Sequence, residues 1–138
     1  MSEAQDYNAQ IIAEFRANEG KVGGRFEGFP LLILHSTGAK TGKERVNPLA
    51  YRRAGDAFAI FGSAAGADKN PDWYHNLVAN PRATIEVGTE TLEVNARVAT
   101  PGERDEIWER QKAEVPGFGE YEAMTTRQIP VVILERAG

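Results

Sequence analysis

The chain has 138 residues, 41% of them apolar and 26% charged, which is the composition of one globular domain with room for a core. A net charge of −4 excludes a protein that holds nucleic acid through its overall field, and the lack of cysteine excludes disulfides, thiol nucleophiles and thiolate metal sites. His35 and His75 are the only histidines, so no metal centre is assigned.

No apolar run approaches the roughly 20 residues of a spanning helix, and no basic start with an apolar core opens the chain, so a cytoplasmic location is expected. The first predicted element is a helix over Met1–Gly20. Tyr7, Ile11 and Phe15 fall on one face beside Ile12, and Gly20 is the natural terminator. The opposite face is acidic, which argues against a helix lying on a membrane. This helix is expected to belong to the same unit as a single domain over residues 21–138.

Lys21–Pro30 is a glycine-rich connection. Strands are predicted over Leu31–His35, Glu44–Arg53 and Ala57–Gly62, with Gly55–Asp56 as a turn. Pro48 inside the second strand implies an edge, a bulge or a strand end. Ser63–Asn70 is a second loop of small residues. Asn70–Pro71 then reads as N-cap and first-turn proline of a helix to Ala79, which Asn80–Pro81 stops.

Ala83–Val87 and Thr91–Ala99 form a predicted hairpin. Leu92, Val94, Ala96 and Val98 alternate with Glu93, Asn95 and Arg97, giving one buried and one wet face. Thr100–Pro101–Gly102–Glu103 is a capping box opening a helix that carries Ile107 and Trp108 and ends near Pro116. A short helical piece over Phe118–Thr125 leads to the last strand, Ile129–Leu134. The order favours hairpins over strand–helix–strand crossovers, so the fold class is α+β: a small, mainly antiparallel barrel wrapped by about three helices.

Chemistry concentrates in Leu31–Asn47. An apolar strand feeds a turn in which Ser36, Thr37 and Thr41 offer hydroxyls and Lys40, Lys43 and Arg45 offer cations, a set suited to phosphate or carboxylate. The spacing Gly38–Ala39–Lys40–Thr41–Gly42–Lys43–Glu44 is not a nucleotide P-loop, which needs four residues between its glycines and a hydroxyl after the lysine. The residues alone leave open an anion grip or a solvated turn. Behind the second loop, a helix N-terminus presents free N–H groups and a positive dipole end, with Lys69 just before it. Trp73, Tyr74 and Leu77 read as core by their spacing, and His35 and His75 as structural or exposed. No carboxylate pair or nucleophile constellation is found.

Three segments in order, HSTGAKTGKERVNPLAY, GSAAGADKNPDWYHNLVANP and TTRQIPVVILER, resemble the deazaflavin-dependent nitroreductase family, whose members are mostly actinobacterial oxidoreductases. The resemblance covers about Phe29 to Leu134. It implies a split β-barrel related to flavin-mononucleotide-binding oxidoreductases, with reduced coenzyme F420 as hydride donor. By similarity, Lys40, Thr41, Gly42 and Arg45 grip its phosphate and carboxylates, and Asn47 and Pro48 line the same groove. Ile60, Phe61, Gly62, Ser63 and Ala64 pass beside the ring, and Lys69, Asn70, Trp73, Tyr74, His75 and Asn76 complete the pocket.

Ser63 and Tyr121 match residues that hold the substrate in the family. Val115 and Phe118 stand in a segment that is tyrosine-rich there, which makes the pocket more apolar. The expected partner is a small-molecule electron acceptor, a quinone, enone or nitroaromatic, met by a monomer or homodimer. The competing readings are a flavin-mononucleotide enzyme on the same barrel and a non-catalytic F420 carrier.

Overall fold

In the computed structural model, residues 3–22, 30–63 and 66–137 are described. In chain order the elements are α1 (Glu3–Ala17), β1 (Leu31–Thr37), β2 (Glu44–Ala54), β3 (Ala57–Phe61), α2 (Asp72–Ala79), β4 (Arg82–Val87), β5 (Glu90–Val98), α3 (Pro101–Glu114), α4 (Gly117–Ala123) and β6 (Val131–Arg136). The strands close into a barrel in the order β1-β2-β3-β6-β5-β4, and every neighbouring pair is antiparallel. The α+β barrel expected from the element order is the observed architecture, with four helices among the described residues where about three were expected.

Strand composition follows from what covers each face. Leu32, Leu34, Phe58, Ile60, Ile85, Val94 and Leu134 point inward and fill the barrel. Outside it, Leu31 and Ile33 lie beneath Ile11 and Phe15 of α1. Ala59, Phe61, Val131 and Ile133 lie beneath Trp108 of α3, with Phe118 of α4 packed alongside. Strands β1, β3 and β6 are therefore buried on both faces and read as continuous apolar runs, whereas β5 has one wet face and alternates. Val98 is an exception to that alternation: it is 46% exposed, because β5 ends there at the rim of the barrel.

Pairing of β2 changes partner midway. Glu44–Ala50 pair with β1, and Tyr51–Ala54 pair with β3. Among the described residues the first half of β2 thus has no strand on its second side, and Pro48 lies in it, at a free edge where a missing N–H is tolerated. β3 pairs with β6 through Phe61, which faces Val131, while its pairing with β2 ends at Ile60. Among the described residues, Glu44–Ala50 of β2 and the chain after Phe61 are therefore not paired with each other.

Most element boundaries shift by one to three residues from expectation, and contacts explain two of the shifts. β6 begins at Val131, because Pro130 has no N–H and its carbonyl accepts from Gly62 (2.9 Å). Helix α2 begins at Asp72 with Pro71 as N-cap and no side-chain cap, because Asn70 Oδ1 is taken by Arg127 (2.8 Å). The capping box of Thr100 and Glu103 forms as read. No helix among the described residues is long and apolar enough to cross a membrane.

Candidate active site

The cationic loop between β1 and β2 is a closed turn. The Gly38 N–H donates to Lys43 O (2.8 Å), the Gly42 N–H donates to Gly38 O (2.9 Å), and Gly42 takes φ +70°. Its position is set from α2: the Ala39 N–H donates to the buried Asn76 Oδ1 (2.9 Å), and Asn80 Nδ2 donates to Thr37 O (3.4 Å). The loop is anchored by its backbone, which leaves its side chains in solvent.

Seven of the 16 basic side chains are neutralised by carboxylates among the described residues, Arg104 by Asp105 and six others as follows. Arg16 pairs with Glu86, Arg52 with Glu114, Arg82 with Glu93, Arg97 with Glu103 and Glu135, Arg110 with Glu106, and Lys112 with Glu109 and Glu122. Among the described residues, Lys40, Lys43, Arg45 and Lys69 take no carboxylate. Lys21, Arg53, Arg127 and Arg136 also lack one, Arg53 and Arg136 lying over the Phe58 ring, so the four stand out by their shared place, in the β1–β2 turn, at the start of β2 and in the loop after β3.

Register decides which residues of β2 share that surface. Arg45 faces Ser36 and Asn47 faces Leu34, so both stand on the inward face of β2, at the barrel end covered by α2. Pro48 faces Ile33 and belongs to the opposite face, on the side of α1. Ser36 is 2% exposed, and its Oγ has no partner among the described residues. An unpaired buried hydroxyl beside an unpaired guanidinium is a feature that a bound anion would complete.

The second candidate segment follows β3 directly. Ile60 faces the barrel interior and Phe61 packs edge-on against Phe118 (centroids 5.4 Å apart), so both can meet a ligand only through backbone. Gly62 and Ser63 are buried at the start of the second loop, Lys69 is exposed, and Ala64 lies outside the described residues. Gly66 (φ +85°) closes a turn by donating to Ser63 O (2.8 Å), and a Cβ there would lie 2.9 Å from Met124 Cβ and 3.3 Å from Tyr121 O. This contact brings the end of α4, and with it Tyr121, against the loop that carries Ser63.

Helix α2 divides the remaining candidates. Trp73 is 5% exposed and belongs to the barrel core, with Tyr74 packed at its margin, as their spacing implied. His75 is exposed and stands edge-on to Tyr74 (5.5 Å). Only Asn76 among the α2 candidates turns to the cationic loop through a hydrogen bond. His35 is taken up on the outer face, where Nε2 lies 2.6 Å from Glu86 Oε2.

Sequence reasoning missed Arg127. It lies just before β6, in the segment TTRQIP, and its guanidinium binds described residues at both ends of the second loop. Nε donates to Ala67 O (2.9 Å), one terminal nitrogen to Asn70 Oδ1 (2.8 Å), and the other to Gly62 O (3.0 Å) and Ser63 O (3.2 Å). The available signal was an arginine placed directly before an apolar strand within a segment that carries the resemblance.

Comparison with known proteins bears on the family and the fold. The family model described as F420H(2)-dependent quinone reductase matches residues 9–136. An F420H(2)-dependent quinone reductase of Mycobacterium tuberculosis is 40% identical over 128 residues, covering 90% of this chain and 86% of its own. A solved F420-H2 dependent reductase superposes with a TM-score of 0.70 at 36% identity, over 77% of this chain and 94% of that one. A second structure, described as a domain-swapped dimer, gives 0.71 at 32% identity, over 96% and 98%.

Proposed function

The chain belongs to the F420H(2)-dependent quinone reductase family, and from that membership we propose that the space between β2 and the segment after β3 is where it holds F420 and reduces a quinone. The observation that carries the placement is that Lys40, Lys43, Arg45 and Lys69, which take no carboxylate among the described residues, lie in the β1–β2 turn, at the start of β2 and in the loop after β3. When bound, reduced F420 supplies the hydride and the accompanying proton that convert a quinone to a hydroquinone. The chain's part is to bind, orient and exclude water, because the cofactor carries the chemistry.

In this reading Lys40, Thr41, Gly42 and Arg45 hold the phosphate and carboxylates, helped by Ser36 and Asn47. The N-terminus of α2, which has no side-chain cap, adds a positive dipole end. Gly62 and Ser63 border the ring through their backbone. Tyr121, packed on Phe118, closes the acceptor side with an apolar surface that suits a flat quinone.

Two measurements test this. Equilibrium titration is expected to show F420 bound more tightly than flavin mononucleotide. Mixing F420H2 with the protein and menadione is expected to regenerate the absorbance of oxidised F420, with enones and nitroaromatics as a comparison panel. Tighter flavin mononucleotide binding, or tight F420 binding with no oxidation by any acceptor, would reject the assignment. The likeness to a domain-swapped dimer and the exposed Val78, Val98 and Met124 support a homodimer, which light scattering behind size exclusion would refute by returning one chain's mass.

A further inference from the structure

We propose that Arg127 is a positioning residue of this site: it fixes the Gly62–Asn70 segment so that the Ser63 amide faces the space beside β2 as a donor to a carbonyl oxygen held there. The proposal rests on the F420 reading above. Four acceptors, Gly62 O, Ser63 O, Ala67 O and Asn70 Oδ1, converge on one guanidinium, using its planar fork in a way that a lysine ammonium cannot reproduce.

The direction of the Ser63 amide follows from its neighbour. The Gly62 N–H donates to Pro130 O, and Gly62 O accepts from Arg127, so both groups of Gly62 point to the β6 side. Across a planar trans peptide the N–H of Ser63 points opposite to Gly62 O, towards the free edge of β2. Ser63 is 8% exposed, and its N–H finds no acceptor among the described residues. A buried donor in that state is completed by a ligand oxygen. Both the deazaflavin ring and the quinone carry carbonyls, and the experiment separates them.

The test uses full-length Arg127→Gln and Arg127→Lys proteins. Without cofactor, hydrogen exchange at amides 62–70 and tryptic cleavage after Lys69 are expected to rise about tenfold or more in R127Q, the size of a lost charged hydrogen bond, with amides 131–134 unchanged. R127K, which keeps the charge but not the fork, is expected to be intermediate, and it serves as the test should R127Q not fold. With F420 bound, a shifted absorption maximum in the variants assigns the Ser63 donor to the ring. A raised KM for menadione with an unshifted maximum assigns it to the acceptor. Parental loop exchange in both variants, exchange raised equally across the barrel, or an unshifted maximum with parental KM overturns the proposal. A parent that binds F420 without oxidising it would reject the function, yet the exchange arm would still decide the role of Arg127.

Discussion

Lys40 and Arg45 differ from most arginines of this chain in one respect, the lack of an internal carboxylate among the described residues. A cation already paired gains little from a ligand anion, because its field is spent locally. An unpaired one can give a charged hydrogen bond worth about 1–3 kcal/mol. Lys40→Ala and Arg45→Ala are each expected to raise the F420 dissociation constant by about 5- to 150-fold in a fluorescence titration. Binding to the parent is expected to weaken with added salt, and less steeply in either variant. If both variants bind as the parent does, the loop is only a turn. Residue types in Lys40–Arg45 were enough to single out this loop. They could not say which cations were free, since pairing partners such as Glu86 of Arg16 lie 70 residues away. For the same reason Arg127 was invisible: its acceptors lie about 60 residues upstream, and two of the four residues it reaches are small ones with nothing but a carbonyl to offer.

The elements behave as the local signals require, except where tertiary contact claims a residue. Asn70 is a good N-cap by type, yet Arg127 takes its oxygen and Pro71 assumes the cap position. Helix α1 shows the opposite case, an element whose attachment is all tertiary. Ile11 and Phe15 cover Leu31 and Ile33, and Arg16 forks onto Glu86 at 2.7 and 3.0 Å. A chain beginning at Lys21 is expected to lose about 3–6 kcal/mol in urea unfolding, the worth of re-exposing two large apolar side chains. Little loss would show that α1 is not part of the barrel unit.

The same tether has a pH signature. The Arg16 guanidinium, and after it His35, holds the Glu86 carboxyl at about 2, below its usual 4.5. A depressed carboxylate stabilises the fold above its unfolded value and loses that contribution as pH falls from about 4.5 towards 2. The stability lost in Glu86→Gln, up to about 3 kcal/mol at neutral pH and less because Arg16 is half exposed, is expected to shrink through that window. A difference independent of pH would mean that packing, not charge, is what the substitution removes.

At the scale of the molecule, the sequence by itself determined the class of fold and the class of ligand. Hairpin signals at Gly55–Asp56 and Gly88–Thr89, the capping box at Thr100, and runs such as LLIL, AFAIF and VVIL state their local structure through period and turn chemistry, which depend on near neighbours alone. The closure of the barrel was legible because hairpins dominate the order. The free edge of β2 was not. It exists because β2 changes partner between Ala50 and Tyr51 and because the β2–β3 pairing ends at Ile60. No local pattern encodes that exchange, since Pro48 fits an edge, a bulge or a strand end alike. Side-chain direction was equally a tertiary matter: register turned Arg45 and Asn47 inward and Pro48 towards α1, and it drew Ile60 into the barrel. Sequence supplied the charged and small residues that an F420 site needs. Only the folding of distant segments onto one another decided which charges stay free and which backbone groups face the ligand, because pairing and burial are set by contacts between residues far apart in the chain.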